Sequence, residues 1–254
     1  MGRARIDKVW GAGKPALGVH CVSADLAFYE IAGQVGYDFV WIDTEHAAIT
    51  LPMVLNGIAA TQANGASAIV RIAKNDPALA KPILEMGADG IIFPMINTAE
   101  EAEKAVRACL YPPEGDRGFG PLRANNYGEI DAQTFREKAN REILKIIQIE
   151  HVDAVHNLDE ILKVKGIDLI VCGPMDLSAS INKLGMLKDP DVKMLMYTII
   201  KKCKDAGVPF GISMGYNPAL FEYWKSAGAS FISMGNPYIY FKKTAKAIID
   251  VNRD

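Results

Sequence analysis

The chain has 254 residues, 50% of them hydrophobic and 23% charged, with a formal net charge of −2. That length supports a large core in one domain over 1–254, and the near-neutral charge without basic runs excludes a nucleic-acid or membrane surface as the main partner. No apolar run reaches the roughly 18 residues that a bilayer span requires, and the opening Gly2-Arg3-Ala4-Arg5-Ile6-Asp7-Lys8 is charged where a signal peptide would be apolar.

The predicted elements fall into one rhythm. Residues 2–12 read as a short helix. A strand over 16–21 is followed by a helix over 23–35, a strand over 39–42 by a helix over 51–63, and a strand over 67–72 by a helix over 76–86. The fourth strand, 90–94, leads to a helix that Asn97 or Thr98 caps, with Glu100 and Glu101 in its first turn. Residues 111–128 interrupt the rhythm with three prolines and four glycines, the mark of a long irregular loop with a functional or mobile role. A helix over 132–140 then leads to a strand over 143–150, a helix over 152–164 and a strand over 168–172. Gly173-Pro174-Met175-Asp176-Leu177-Ser178 opens a short helix, and 191–206 forms a longer one. The last strands, 208–213 and 230–234, each have a helix behind them. Eight strand–helix units joined by short turns predict an α/β fold, a single-domain (β/α)8 TIM barrel with a short N-terminal helix. A doubly wound open sheet is the alternative, but no GxGxxG follows the first strand.

The continuous apolar run Phe39-Val40-Trp41-Ile42 ends in Asp43-Thr44-Glu45-His46. A strand this apolar is buried on both faces, and its carboxyl end is where barrel enzymes place their chemistry. Asp43 stands three residues before His46, a spacing at which the carboxylate can orient one imidazole nitrogen and free the other for proton transfer. A capping Asp and a surface His are the alternative. Other polar residues fall at the same rim: Arg71 at the end of strand three, Gln148 and Glu150 closing strand five, Asp176 after strand six, Ser213 ending strand seven, and Gly235 and Asn236 after strand eight.

Gln148 and Glu150 share a strand face because side chains alternate. Glu150 at one strand tip and Asp176 beyond the next are the candidate metal ligands. Two carboxylates with open positions suit Mg²⁺ or Mn²⁺, with Co²⁺ or Zn²⁺ as alternatives; plain helix-start roles for both are the competing reading. Gly173, Pro174, Met175 and Asp176 offer backbone at a helix start for a carboxylate or phosphate, or an ordinary cap. The glycines of 211–215 and 234–237 either form a phosphate pocket or allow tight turns. Arg71 ends an apolar strand, so its guanidinium either meets a substrate oxygen or developing enolate, or forms a salt bridge to Asp43 or Glu45. His20 is a weaker candidate for the mouth, and His151 and His156 read as helix-surface residues. Tyr238, Tyr240 and Phe241 read as packing or subunit contacts. Cys21, Cys109, Cys172 and Cys203 form no CxxC pair and read as reduced residues, three of them in the core, of a cytoplasmic protein.

With those residues placed, the sequence resembles the HpcH/HpaI aldolase family, class II metal-dependent aldolases of 2-oxo acids of the 4-hydroxy-2-oxoheptanedioate aldolase kind. The resemblance rests on Trp41-Ile-Asp43-Thr-Glu45-His46-Ala47, Val70-Arg71, Tyr111-Pro-Pro-Glu-Gly-Asp-Arg117-Gly-Phe-Gly120, Gln148-Ile-Glu150 and Gly173-Pro-Met-Asp176-Leu-Ser178, and spans nearly the whole chain. It implies a divalent metal on Glu150 and Asp176 with Gln148 beside it. It also implies Arg71 on the pyruvate or enolate oxygens, Asp43–His46 as the acid/base dyad, and the backbone near Met175 as the carboxylate seat. The expected reaction is reversible retro-aldol cleavage of a 4-hydroxy-2-oxo acid to pyruvate and a small aldehyde, in a homohexamer assembled as a trimer of dimers with the last helix on a neighbour. Three features depart from relatives. Leu84-Glu85-Met86-Gly87 carries Glu where relatives carry Asp, at a position that reaches a neighbouring subunit. The loop Pro121-Leu-Arg123-Ala-Asn-Asn-Tyr127 is shorter, with Arg123 a candidate substrate contact or a solvated side chain. Gly235-Asn236-Pro237 replaces Gly-x-Asp.

Three rival readings compete with this one. A Schiff-base aldolase needs a buried amine of lowered pKa, and the one lysine placed on a strand, Lys145, lies at its wrong end. A CoA-thioester lyase of the malyl or citramalyl type lacks an evident basic patch for the nucleotide. A non-catalytic 2-oxo acid binding protein would have no use for a proton shuttle.

Overall fold

The computed structural model describes residues 2–253. Eight parallel strands close in sequence order into a barrel: β1 (Ala16–Cys21), β2 (Phe39–Asp43), β3 (Ser67–Arg71), β4 (Gly90–Phe93), β5 (Leu144–Ile149), β6 (Leu169–Cys172), β7 (Phe210–Met214) and β8 (Phe231–Met234). Around it, after α1 (Gly2–Gly11), come α2 (Leu26–Gln34), α3 (Leu51–Ala63), α4 (Pro77–Glu85), α5 (Ala99–Cys109) and α6 (Ala132–Glu142). Then come α7 (Val152–His156), α8 (Leu158–Ile161), α9 (Pro174–Ala179), α10 (Pro190–Ala206), α11 (Pro218–Ser226) and α12 (Pro237–Val251). The (β/α)8 expectation holds, and the open-sheet alternative falls because β1 pairs with β8. One predicted helix divides: 152–164 becomes α7 and α8, with Asn157 closing the first and opening the second.

Two apolar clusters arise from strand alternation. Outward residues such as Val40, Ile42, Val70 and Ile147 pack with the helices. Inward residues Ala16, Phe39, Trp41, Ile69, Ile146, Val171 and Phe231 fill the barrel, with Ile6 of α1 joining them from below. The rings of Phe39 and Phe231 stack at 3.7 Å, and Gly18 leaves them room, since a Cβ there would lie 2.2 Å from Phe39. α1 closes the N-terminal face through Arg3 to Asp168 at 2.7 Å and Trp10 Nε1 to the Ser230 carbonyl at 2.6 Å. With the lower layers filled by carbon, the polar inward residues are left at the C-terminal mouth.

The long loop between α5 and α6 does not lie over that mouth. Arg117 packs over the Tyr111 ring at 4.3 Å and meets Glu85 at 3.3 Å, while Arg123 donates to the Met86 carbonyl at 2.8 Å and Gln62 Oε1 at 2.9 Å. Gln62, Glu85 and Met86 sit at the C-terminal ends of α3 and α4, on the N-terminal side of the barrel. The loop covers a cavity there of about 290 Å³, lined by Arg3, Arg117, Arg123 and Lys138 among others.

Candidate active site

Three strands deliver the first half of the site. β2 and β3 pair in register so that Asp43 and Arg71, their last residues, stand side by side facing inward. Arg71 Nε donates to Asp43 Oδ1 at 3.0 Å and Nη2 to Oδ2 at 2.7 Å, the paired geometry that suits a planar guanidinium. Asp43 Oδ1 also accepts from the Glu45 N–H at 3.0 Å, and from the His46 N–H at 3.4 Å. From β1, His20 Nε2 contacts Asp43 Oδ2 at 3.0 Å. Burial by itself would raise the Asp43 pKa, but hydrogen bonds from His20 and Arg71 and the Arg71 charge outweigh it and hold the carboxyl well below the usual range. Trp41, one inward layer below, lies under both of these partners: its ring is 5.4 Å from the Arg71 guanidinium carbon and 5.3 Å from the His20 ring. Arg71 Nη1 lies 3.0 Å from Glu45 Oε2, an ion-pair contact without hydrogen-bond alignment.

The second half comes from β5, β4 and α9. Glu150, 2% exposed, accepts from the Met95 N–H at 2.8 Å through Oε1 and from Gln148 Nε2 through Oε2. Met95 takes φ of 54°, a left-handed conformation uncommon outside glycine, just past β4. Burial, reinforced by the charges of Glu45 and Asp176 and opposed by those two hydrogen bonds, pushes the Glu150 carboxyl up to about 7. Burial likewise raises Glu45, with Arg71 and His46 opposing it and Asp43 and Asp176 adding to it. Asp176 stands exposed in the first turn of α9. Gly173 is required where β6 turns into α9, because a Cβ would lie 2.5 Å from Glu150 Oε2.

This donor set fits a hard divalent cation. Glu150 and Asp176 offer carboxylate oxygens, and no lysine or arginine is among the groups that offset their mutual repulsion at Glu150. Gln148 Oε1 is buried without a hydrogen-bond partner, a third oxygen left for a ligand outside the protein. The described residues hold no group of three or more His, Cys, Asp or Glu positioned for a metal. Two carboxylates and an amide oxygen are therefore the donors the chain offers.

Several expected residues gather and several do not. Asp43, Arg71, Gln148, Glu150, Gly173, Pro174, Met175, Asp176 and Ser213 all lie at or just past the C-terminal strand ends. For Arg71, the salt-bridge alternative is what the chain makes, to both Asp43 and Glu45. The Asp43–His46 pairing expected from spacing is not made through the imidazole: the Asp43 oxygens are taken by Arg71, His20 and backbone N–H groups. The His46 side chain, 62% exposed, has its Nε2 3.9 Å from Glu45 Oε2. Arg123 is corrected as a contact for the chain's own mouth, because its guanidinium is held on the opposite side of the barrel. Glu85 turns inward, to Arg117 at 3.3 Å and Tyr111 Oη at 3.4 Å. Spacing along the chain underrates His20 and Met95. A signal for His20 exists in the sequence: it is two residues beyond Gly18 on the inward face of a strand. Met95 acts through its backbone, which no side-chain pattern encodes.

The family model described as HpcH/HpaI aldolase/citrate lyase matches residues 17–236. The 2-dehydro-3,6-dideoxy-6-sulfogluconate aldolase of Pseudomonas putida is 34% identical over 92% of this chain and 91% of its own length. The 2-keto-3-deoxy-L-rhamnonate aldolase of Salmonella gallinarum is 34% identical over 88% and 83%. Among solved structures, an HpcH/HpaI aldolase/citrate lyase family protein from Burkholderia cenocepacia superposes with TM-score 0.93 at 27% identity, covering 99% of this chain and 100% of the other. Fold, rim chemistry and relatives together define an enzyme, a (β/α)8-barrel carbon–carbon lyase of the aldolase class. Within that class, the chain belongs to the HpcH/HpaI aldolase/citrate lyase family.

Proposed function

We propose that the chain is a class II pyruvate aldolase that reversibly cleaves a 4-hydroxy-2-oxo acid, a 2-keto-3-deoxy sugar acid or a dioic acid, to pyruvate and a small aldehyde. The observation that carries this reading is the gathering of two sets of groups at one mouth: a buried guanidinium, Arg71, and an acidic pair, Glu150 and Asp176, with an unpartnered Gln148 oxygen and with Glu45 in electrostatic reach of both sets. Glu150, Asp176 and Gln148 would hold a divalent ion, Mg²⁺ or Mn²⁺ before Co²⁺ or Zn²⁺. Such an ion supplies Lewis-acid polarisation of a 2-oxo group and a template for the acid beside it.

The chain's own groups account for the rest. Arg71 uses two of its five N–H groups on Asp43, and the guanidinium stabilises negative charge gathering on the C2 oxygen as the C3–C4 bond breaks. Asp43 and Glu45 fix its plane and direction. The exposed His46 imidazole takes the C4 hydroxyl proton, C4 leaves as the aldehyde, and the bond electrons pass into the C2–C3 enolate. A proton delivered to C3 completes pyruvate. The first-turn N–H groups of Met175 and Asp176 are open to the substrate carboxylate, and Ser213 borders the aldehyde side. A Schiff-base route finds no support: Lys145 is spent on Asp168 at 2.6 Å and the Ile143 carbonyl at 2.9 Å, at the start of β5. Copies assemble through α12 as a trimer of dimers. Four buried free cysteines fit a reducing cytoplasm.

The test is a condensation screen of pyruvate with a panel of aldehydes, run with Mg²⁺, Mn²⁺ and Co²⁺ in parallel. Products that form with metal and disappear in EDTA support the reading. Turnover that survives EDTA, with borohydride trapping pyruvate on the protein, overturns it.

A further inference from the structure

The Asp43 carboxylate is over-determined in an informative way. Its five near neighbours are Arg71 Nε and Nη2, the N–H groups of Glu45 and His46, and His20 Nε2. Asp43 is held ionised, so it can only accept. His20 must therefore carry its proton on Nε2, the nitrogen 3.0 Å from Asp43 Oδ2. The same oxygen takes Arg71 Nη2 at 2.7 Å. Among the described residues, His20 is thus the one side chain besides Arg71 that holds this carboxylate.

The packing leaves the ring little freedom. His20 lies on the inward face of β1, its ring 5.3 Å from Trp41 and tilted by 32°, and its backbone N–H donates to the Gly235 carbonyl at 3.0 Å. Its side chain is 21% exposed, and an inward barrel residue of the top layer meets solvent only through the mouth. The indole beneath also lies 5.4 Å from the Arg71 guanidinium carbon. One aromatic platform therefore carries His20 and Arg71 while Asp43 joins their polar edges.

We infer that His20 is a positioning residue: by holding Asp43 Oδ2 it sets the direction of the Arg71 guanidinium at the substrate. The inference rests on the aldolase reading for what Arg71 does, and on the geometry alone for what His20 holds. A guanidinium misdirected by an ångström loses most of its advantage in a charged transition state.

Two near-isosteric variants separate the roles of the ring. In His20→Gln the amide nitrogen reaches the place of Nε2 and still donates to Asp43. In His20→Asn the amide nitrogen takes the place of Nδ1 and falls short. Both are polar and of similar bulk, and thermal melts check that each folds. With Mn²⁺ and a 4-hydroxy-2-oxo acid that the wild type cleaves, kcat of His20→Asn falls about 10–100-fold with KM little changed, since an enolate contact is made only in the transition state. His20→Gln stays within about threefold of wild type on the same reasoning. An unimpaired His20→Asn overturns the inference. A His20→Gln variant as damaged as His20→Asn overturns it also, because the imidazole itself would then be moving protons. Ring ¹⁵N spectra of the resting protein give a readout free of turnover: Nε2 protonated in the wild type and perturbed in Asp43→Asn is the expected result, and a bare Nε2 sinks the proposal. A wild type that cleaves nothing in the screen defeats the aldolase reading, while the spectra still decide the His20–Asp43 link.

Discussion

The chemistry at residue scale is a contest between burial and partners. Asp43 and Glu150 are both nearly inaccessible, yet one is driven down and the other up to about 7. The difference is that Asp43 meets a guanidinium and Glu150 meets other carboxylates. Removing the guanidinium in Arg71→Ala leaves Asp43 with His20 and two backbone N–H groups but without its cationic partner, and kcat for cleavage falls on the order of 10²–10³-fold. Arg71→Lys recovers little, because a point charge cannot serve both Asp43 oxygens and an enolate at once; steady-state kinetics of the two variants check this. Glu150 also makes a prediction about stability in EDTA. Its folded pKa is raised above the unfolded value, so its contribution is complete below about 4.5 and is lost as pH rises through about 7. The metal-free protein should be less stable at pH 8 than at pH 5.5, by no more than about 2 kcal/mol, and melt at lower temperature. Glu150→Gln flattens that difference in scanning calorimetry. Asp43 has the opposite sign, but its stability is lost only in strong acid, outside this window.

At the scale of elements, the site depends on where strands end and on the first residues beyond them. β6 hands over to α9 at Gly173, whose missing side chain lets the Glu150 carboxylate occupy the space between β5 and β6. Gly173→Ala places a methyl 2.5 Å from Glu150 Oε2 and 2.9 Å from Glu150 Cβ, so the carboxylate must leave its present position. Mn²⁺ affinity, read by calorimetry, should weaken about 10–100-fold, while the melting temperature without metal changes little. The strand ends are legible in the sequence. An apolar run stopping at Asp43, and Gln148 and Glu150 spaced two apart, place themselves once the period of two is accepted. The loop between α5 and α6 is not legible in the same way. Its prolines and glycines announce irregular backbone, but they carry no information on which end of the barrel it covers. Arg117 and Arg123 decide that by reaching the ends of α3 and α4.

For the whole molecule, the unexplained surface is α12. None of its residues is buried, and Tyr238, Ile239, Phe241, Ile248, Ile249 and Val251 are exposed on a helix packed lightly against the barrel. Apolar side chains in such number on one terminal helix mark a contact surface. Deleting residues 237–254 should lower the oligomeric mass measured by light scattering. An unchanged mass removes α12 from the assembly. Among the described residues no helix is long and apolar enough to cross a membrane.

By itself, the sequence determined the eightfold alternation, the inward and outward faces of each strand, and the residues that reach the mouth. Those come from periodicity, which is local and survives without any partner. Tertiary structure decided which of those residues pair. Spacing assigned Asp43 to His46, three positions along the chain, but barrel closure brings β1 and β3 to either side of β2. Asp43 then takes His20 and Arg71, 23 and 28 residues away, because an inward carboxylate bonds to the donors sharing its layer, while the chain beyond it turns His46 out toward solvent.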